Sequence, residues 1–234
     1  MSRFKYFIYT TLVIILLLLT LPYVWDIIKF IFLSDTPILD RLDTFKWAAA
    51  GTAAALIIGQ IFKKNLKWLM TFSHELTHII VALMFFRKVH SFNAESGTGN
   101  VVTSGTSRNG LIPMALAPYC LPIFTYLLLF LRPLMNANGL WIFDIIIGIS
   151  IAFHCGCFWS QTGKYQTDIN QYPLFFSYIY IYTCRLVNCC IIIAAFVPGY
   201  NVFTSIWELL CALYDNTVFF GIWVYDSVNQ MINK

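Results

Sequence analysis

Long apolar runs separated by short polar links make up most of the chain. The first run, residues 5–32, predicts a helix bent near Pro22. It resembles a signal peptide in its charged start, but no small-residue cleavage site follows, so an uncleaved helix is expected. A polar link over 34–43 carries Asp35, Pro37, Asp40, Arg41 and Asp43. The second helix, 45–62, is rich in Ala and Gly, which let helices approach closely in lipid. The third, 66–86, closes at Arg87 and Lys88. Residues 89–104 then alternate around a Gly-rich turn, the pattern of a β-hairpin. The fourth segment, 111–131, contains Pro113, Pro118 and Pro122, so it reads as a broken or re-entrant helix. Further helices are expected at 140–159 and 173–197. The last stretch, 202–228, mixes apolar residues with Glu208, Asp215 and Asp226, so it fits either a seventh span or an interfacial helix.

These elements predict an all-α polytopic membrane protein. About six transmembrane helices are expected, with one short β-hairpin after the third. The chain reads as a single membrane-embedded domain, with accessory helices at 1–62, a core at 66–197 and a C-terminal helix at 200–234. Composition agrees: 59% of the 234 residues are hydrophobic and 11% charged, against about 25% charged in soluble domains. The bilayer is therefore the first expected partner. The formal charge of +4 is scattered, and without a basic run nucleic acid is excluded as a partner. The seven cysteines lie mostly in apolar segments and read as small buried residues, not a disulfide framework. Cys155-Gly156-Cys157 lacks the spacing of a zinc knuckle. Arg3 and Lys5, then Lys63, Lys64 and Lys67 after two crossings, place the N-terminus and the start of the third helix in the cytoplasm.

The chemistry sits in that third helix, at His74-Glu75-Leu76-Thr77-His78. Four residues is close to one helical turn, so the two imidazoles share a face and can bind one Zn²⁺. Glu75, one position on, can reach a metal-bound water as general base. Three ionisable groups within about a turn at membrane depth are costly and are usually functional. His74 lies about 10 Å into the helix at 1.5 Å per residue. A catalytic zinc site needs a third protein ligand. Asp168, Asp144 and His154 are the candidates, and simple crossing parity favours Asp144 because it puts the loop of Asp168 on the far side.

The motif, followed by Gly97-Thr98-Gly99-Asn100-Val101-Val102-Thr103-Ser104-Gly105 and by Ala115-Leu116-Ala117-Pro118-Tyr119, resembles site-2 protease-type intramembrane zinc metalloproteases, most closely a compact bacterial branch. Thr167-Asp168 ahead of Pro173 fits a later element of that branch. The resemblance covers about residues 68–180. It implies an enzyme of the bacterial inner membrane, and the basic clusters put its active site towards the cytoplasm. It further implies His74, His78 and Asp168 as zinc ligands, with Asp144 in reserve, and Glu75 as catalytic base. The Asn-Pro-Asp-Gly element of better-known members has only a loose echo in Asn136, Asn138 and Asp144.

The expected reaction is peptide hydrolysis in or beside membrane-spanning segments of membrane-protein substrates. Such a segment must be extended to expose its carbonyls, and the hairpin offers an edge strand for it. The rivals are a non-catalytic scaffold with structural zinc and a small transporter. The transporter fits poorly, since helices one, two and six are nearly free of acids.

Overall fold

A computed structural model describes residues 3–33, 37–61, 66–104 and 111–232. Lys63 and Lys64 of the basic cluster, Ser34 and Asp35 of the link, Phe62 and Gly105 lie outside them. The elements in order are α1 (Arg3–Phe32), α2 (Ile38–Asp43), α3 (Lys46–Ile61), α4 (Lys67–Met84), β1 (Lys88–Glu95) and β2 (Thr98–Ser104). They continue with α5 (Leu111–Leu116), α6 (Ile123–Leu131), α7 (Ala137–Gln161), α8 (Thr167–Asn170), α9 (Leu174–Ala194) and α10 (Val202–Ile232). Short 3-10 turns at Ala117–Tyr119 and Arg132–Leu134 flank α6.

The protein is an all-α polytopic membrane protein with one small hairpin. Phe4–Phe32, Ala137–Gln161 and Leu174–Ala194 are each long and apolar enough to cross a bilayer. Leu111–Tyr119 with Ile123–Leu134 adds a fourth apolar unit, bent by 85°. The other helices of the expected set do not meet that standard alone. With 16 residues α3 is short, and in α4 the ionisable motif dilutes the apolar run. The link helix α2 and the short α8 are additions to the expected elements.

Local chemistry explains the main boundaries. The Asn136 side chain caps α7 by accepting from the Gly139 amide at 2.9 Å. At the end of α4, Phe86 takes a positive φ of 55°, and the Arg87 amide bonds back to Ala82 at 2.9 Å, a Schellman-type stop. That reversal sends β1 back along α4. The hairpin turns at Ser96-Gly97, where Gly97 has φ 96°, a region glycine enters without a Cβ penalty. β1 and β2 pair antiparallel, with a bulge between Val89 and Ser91. The hairpin is held to α4 by Trp68 Nε1 donating to Ala94 at 3.0 Å and by the Gly97 amide donating to Thr71 Oγ1 at 3.2 Å.

The small residues of α3 do pack tightly. A Cβ at Gly51 would lie 2.2 Å from the Ile145 carbonyl oxygen, and one at Gly148 would lie 2.0 Å from that of Ala48. Thr52 Oγ1 lies 3.0 Å from the Gly148 oxygen across the same crossing. With Trp47 against Trp141 and Gly51 against Ile145, α3 and α7 run parallel.

Contacts also settle the path of the broken segment. Met114 sits at His78 and Tyr119 at His74, so α5 and the turn after it run antiparallel to α4. Beyond the bend, Arg132 pairs with Asp144 near the start of α7. The segment therefore enters and leaves at the Met84 end of α4 and does not cross. α7 then runs the whole way and ends at the start of α4, where Gln161 Nε2 donates to Met70 at 3.2 Å. This overturns the parity count: Asp144 begins on the far side from the histidines, and the loop after α7 begins on theirs.

Candidate metal centre

On α4 the i, i+4 spacing stacks His74 over His78, with ring centroids 4.9 Å apart. The carbonyl of Met114 can only accept, so His78 Nδ1, 2.7 Å away, carries the proton. In the neutral ring the Nε2 lone pair then faces Asp168. The short helix α8 brings Asp168 Oδ2 to 3.5 Å from His74 Nε2 and 3.4 Å from His78 Nε2. An imidazole lone pair and a carboxylate at that distance need a proton or a cation between them.

The spacing suits a cation. Zn–N and Zn–O bonds of about 2.0–2.1 Å at tetrahedral angles put neighbouring donors about 3.3 Å apart. The donors of His74, His78 and Asp168 all lie within 4.8 Å of one another, and they are the one such group among the described residues. Two neutral nitrogens and one carboxylate oxygen are also a donor set that zinc favours. The residues thus fit the group. Burial raises the pKa of the Asp168 carboxyl, but where a proton instead sits on each Nε2, the hydrogen bonds from His74 and His78 and the charges of both rings outweigh it. The group is held well below the usual carboxylate range. Tyr119 Oη donates to Oδ2 at 3.2 Å, and Gln171 Nε2 to Oδ1 at 3.3 Å.

Glu75 is buried, 7% exposed, one position along the same helix. β2 passes directly over it: a Cβ built on Gly99 would lie 2.4 Å from Glu75 Oε1 and 2.5 Å from Cγ. No side chain fits between strand and carboxylate. Gly99→Ala is therefore expected to push the Glu75 carboxylate aside. Turnover of any reaction using that group should fall about 10²-fold, the scale of an ångström-level misplacement, with bound metal unchanged. Initial rates beside metal content check this.

The remaining candidates go elsewhere. Asp144 is held by Arg132 through two bonds, Nε to Oδ1 at 2.8 Å and Nη2 to Oδ2 at 3.1 Å. His154 Nε2 accepts the Phe124 amide at 3.1 Å, capping the first turn of α6 beside the break. Both are structural contacts of the re-entrant segment. The seven cysteines are free thiols.

A cavity of about 1580 Å³ opens over the cluster between α3, α4, β2 and α7. Ile58, Met70, Val101, Phe153 and Trp159 give it apolar walls, while Gln161, Gln166 and Gln171 line the end near Asp168. Sequence reasoning missed the steric role of Gly99 and the partners of Asp168. Tyr119 was visible only as the end of Ala117-Pro118-Tyr119.

A family model described as Peptidase M50B-like matches residues 47–166, just over half of the chain. No curated protein and no solved structure matches the chain.

Proposed function

The chain belongs to the Peptidase M50B-like family, and from that premise we propose that it is a zinc metalloendopeptidase that hydrolyses peptide bonds in or beside transmembrane segments of other membrane proteins. The observation that carries the reading is the convergence of His74, His78 and Asp168 at donor spacings of 3.4 and 3.5 Å, on α4 beside a buried glutamate.

In this reading His74, His78 and Asp168 would hold the metal. Bound zinc supplies Lewis acidity towards a carbonyl oxygen and lowers the pKa of a water to about 7. Glu75, one position along from His74, is placed to take a proton from an attacking water and to deliver it to the leaving amine. The Met114 carbonyl fixes the His78 tautomer that leaves Nε2 free. The apolar walls of the cavity suit a lipid-soluble segment, and β2 beside Glu75 offers it backbone pairing once it is extended. Lys5, beside Tyr6 where α1 meets Tyr172 just after α8, and Lys67, at the start of α4, lie at the end of the molecule nearest His74 and Asp168, which supports a site facing the cytoplasm.

Chelation tests the reading. Purified protein in liposomes should cut an apolar model segment, lose that activity with a zinc chelator and regain it with added zinc. Bound zinc with no cleavage of any membrane segment would favour a non-catalytic scaffold.

A further inference from the structure

A residue far along the chain, at the middle of α9, makes contacts that lead to the His74–His78–Asp168 cluster. Arg185 is a cation inside an apolar helix, a placement that is expensive in a membrane. Among the described residues it meets no carboxylate there. Its Nε donates to the Tyr119 carbonyl at 2.8 Å, and its Nη2 donates to the Phe158 carbonyl at 3.3 Å and to the Thr162 hydroxyl. The guanidinium carbon also lies 4.9 Å from the Phe158 ring centre and 5.3 Å from that of Tyr182. One group thus ties the re-entrant turn to the C-terminal end of α7. Three residues on, Asn188 Nδ2 donates to the Cys120 carbonyl at 3.0 Å, so α9 grips the turn at two neighbouring peptides.

What that turn carries is Tyr119. Its side chain is fully buried, so it cannot reach a substrate. Its ring stands edge-on to His74 at 5.1 Å, and its hydroxyl donates to the same Asp168 oxygen that faces both histidines, at 3.2 Å. α9 also pins α8 from below, where Ser177 Oγ donates to the Ile169 carbonyl at 2.9 Å. Neither Asp168 nor Arg185 falls within the 47–166 family match.

We propose that Arg185 and Tyr119 are positioning residues for the metal centre: Arg185 fixes the re-entrant turn against α7, and Tyr119, held by that turn, orients the Asp168 carboxylate and the His74 ring for metal. The proposal rests on the zinc reading of His74, His78 and Asp168. Outer partners of metal ligands typically contribute about 10–100-fold to affinity, and the Tyr119 hydroxyl has the geometry of such a partner.

The test is zinc affinity of the full chain in detergent micelles, by competition with a chromophoric chelator, with helix content recorded for each variant. Tyr119→Phe removes one hydroxyl and should bind zinc about 10–100-fold more weakly at unchanged helix content. Arg185→Met should weaken it in the same direction, and Arg185→Lys, which keeps a cation but not the fork of donors, should fall between Met and wild type. Should Arg185→Met fail to fold, Tyr119→Phe and Arg185→Lys still decide. Wild-type affinity in Tyr119→Phe, or equal affinity for Arg185→Met and wild type, overturns the proposal and leaves the zinc reading standing. A wild-type chain that binds no zinc overturns both.

Discussion

Asp168→Ala is expected to release zinc from the purified protein, while Asp144→Ala keeps it. Asp168 supplies one of the three protein donors that the described residues bring to the cluster. Its removal leaves two imidazoles, and the loss should exceed the about 10–100-fold typical of outer-shell changes. No other carboxylate among the described residues joins the two histidines in a group with ligand spacing. Asp144 is a different case. It is buried, 5% exposed, and is held by Nε and Nη2 of Arg132. Removing it leaves a largely buried cation whose remaining partners among the described residues are the Ala195 carbonyl at 3.3 Å and the Phe196 ring. Breaking a buried pair in this way costs about 3–5 kcal/mol. The two variants should therefore part cleanly: Asp168→Ala folds and loses metal, whereas Asp144→Ala unfolds at lower temperature but carries zinc. Elemental analysis and thermal unfolding in micelles check both. Zinc lost only from Asp144→Ala would contradict the assignment.

Glu75→Gln is expected to abolish hydrolysis while zinc stays bound. The substitution keeps size and shape under Gly99, where there is no room for an added Cβ. It also leaves His74, His78 and Asp168 untouched. What it removes is the ability to take up a proton. General acid–base groups contribute about 10²–10⁴-fold, and a buried amide in this position cannot substitute. The effect should fall on kcat, because the group acts on the attacking water and the leaving amine and not on substrate docking.

Much of this was legible in the chain itself. The i, i+4 histidines, the apolar flanks and the three prolines of 111–131 gave the motif helix and the break. The hairpin followed from alternation around Gly97. The direction of the broken segment was not legible, because prolines mark where a helix fails and not which way the chain leaves. That direction decides which carboxylate meets the histidines, and counting crossings put Asp144 there. The resemblance at Thr167-Asp168 pointed to Asp168, and the antiparallel run of α5 on α4 brings it within reach. Asp144 did carry a readable sign of its structural role, since Arg132 lies twelve residues before it at the other end of a short link. Gly99 could not be singled out from Gly97, because close approach to a carboxylate leaves no trace in local pattern. Arg185 did leave one: it is a lone cation within 173–197, and cations at membrane depth usually have a task.

The central claim is that the HELTH helix and Asp168 form a hydrolytic centre. Its most direct measurement is product formation by mass spectrometry from one apolar segment in liposomes. Zinc-loaded wild type and Glu75→Gln would be compared at equal metal content. Wild type should yield two new peptide termini, and Glu75→Gln none above background. Equal cleavage by both proteins would contradict that claim.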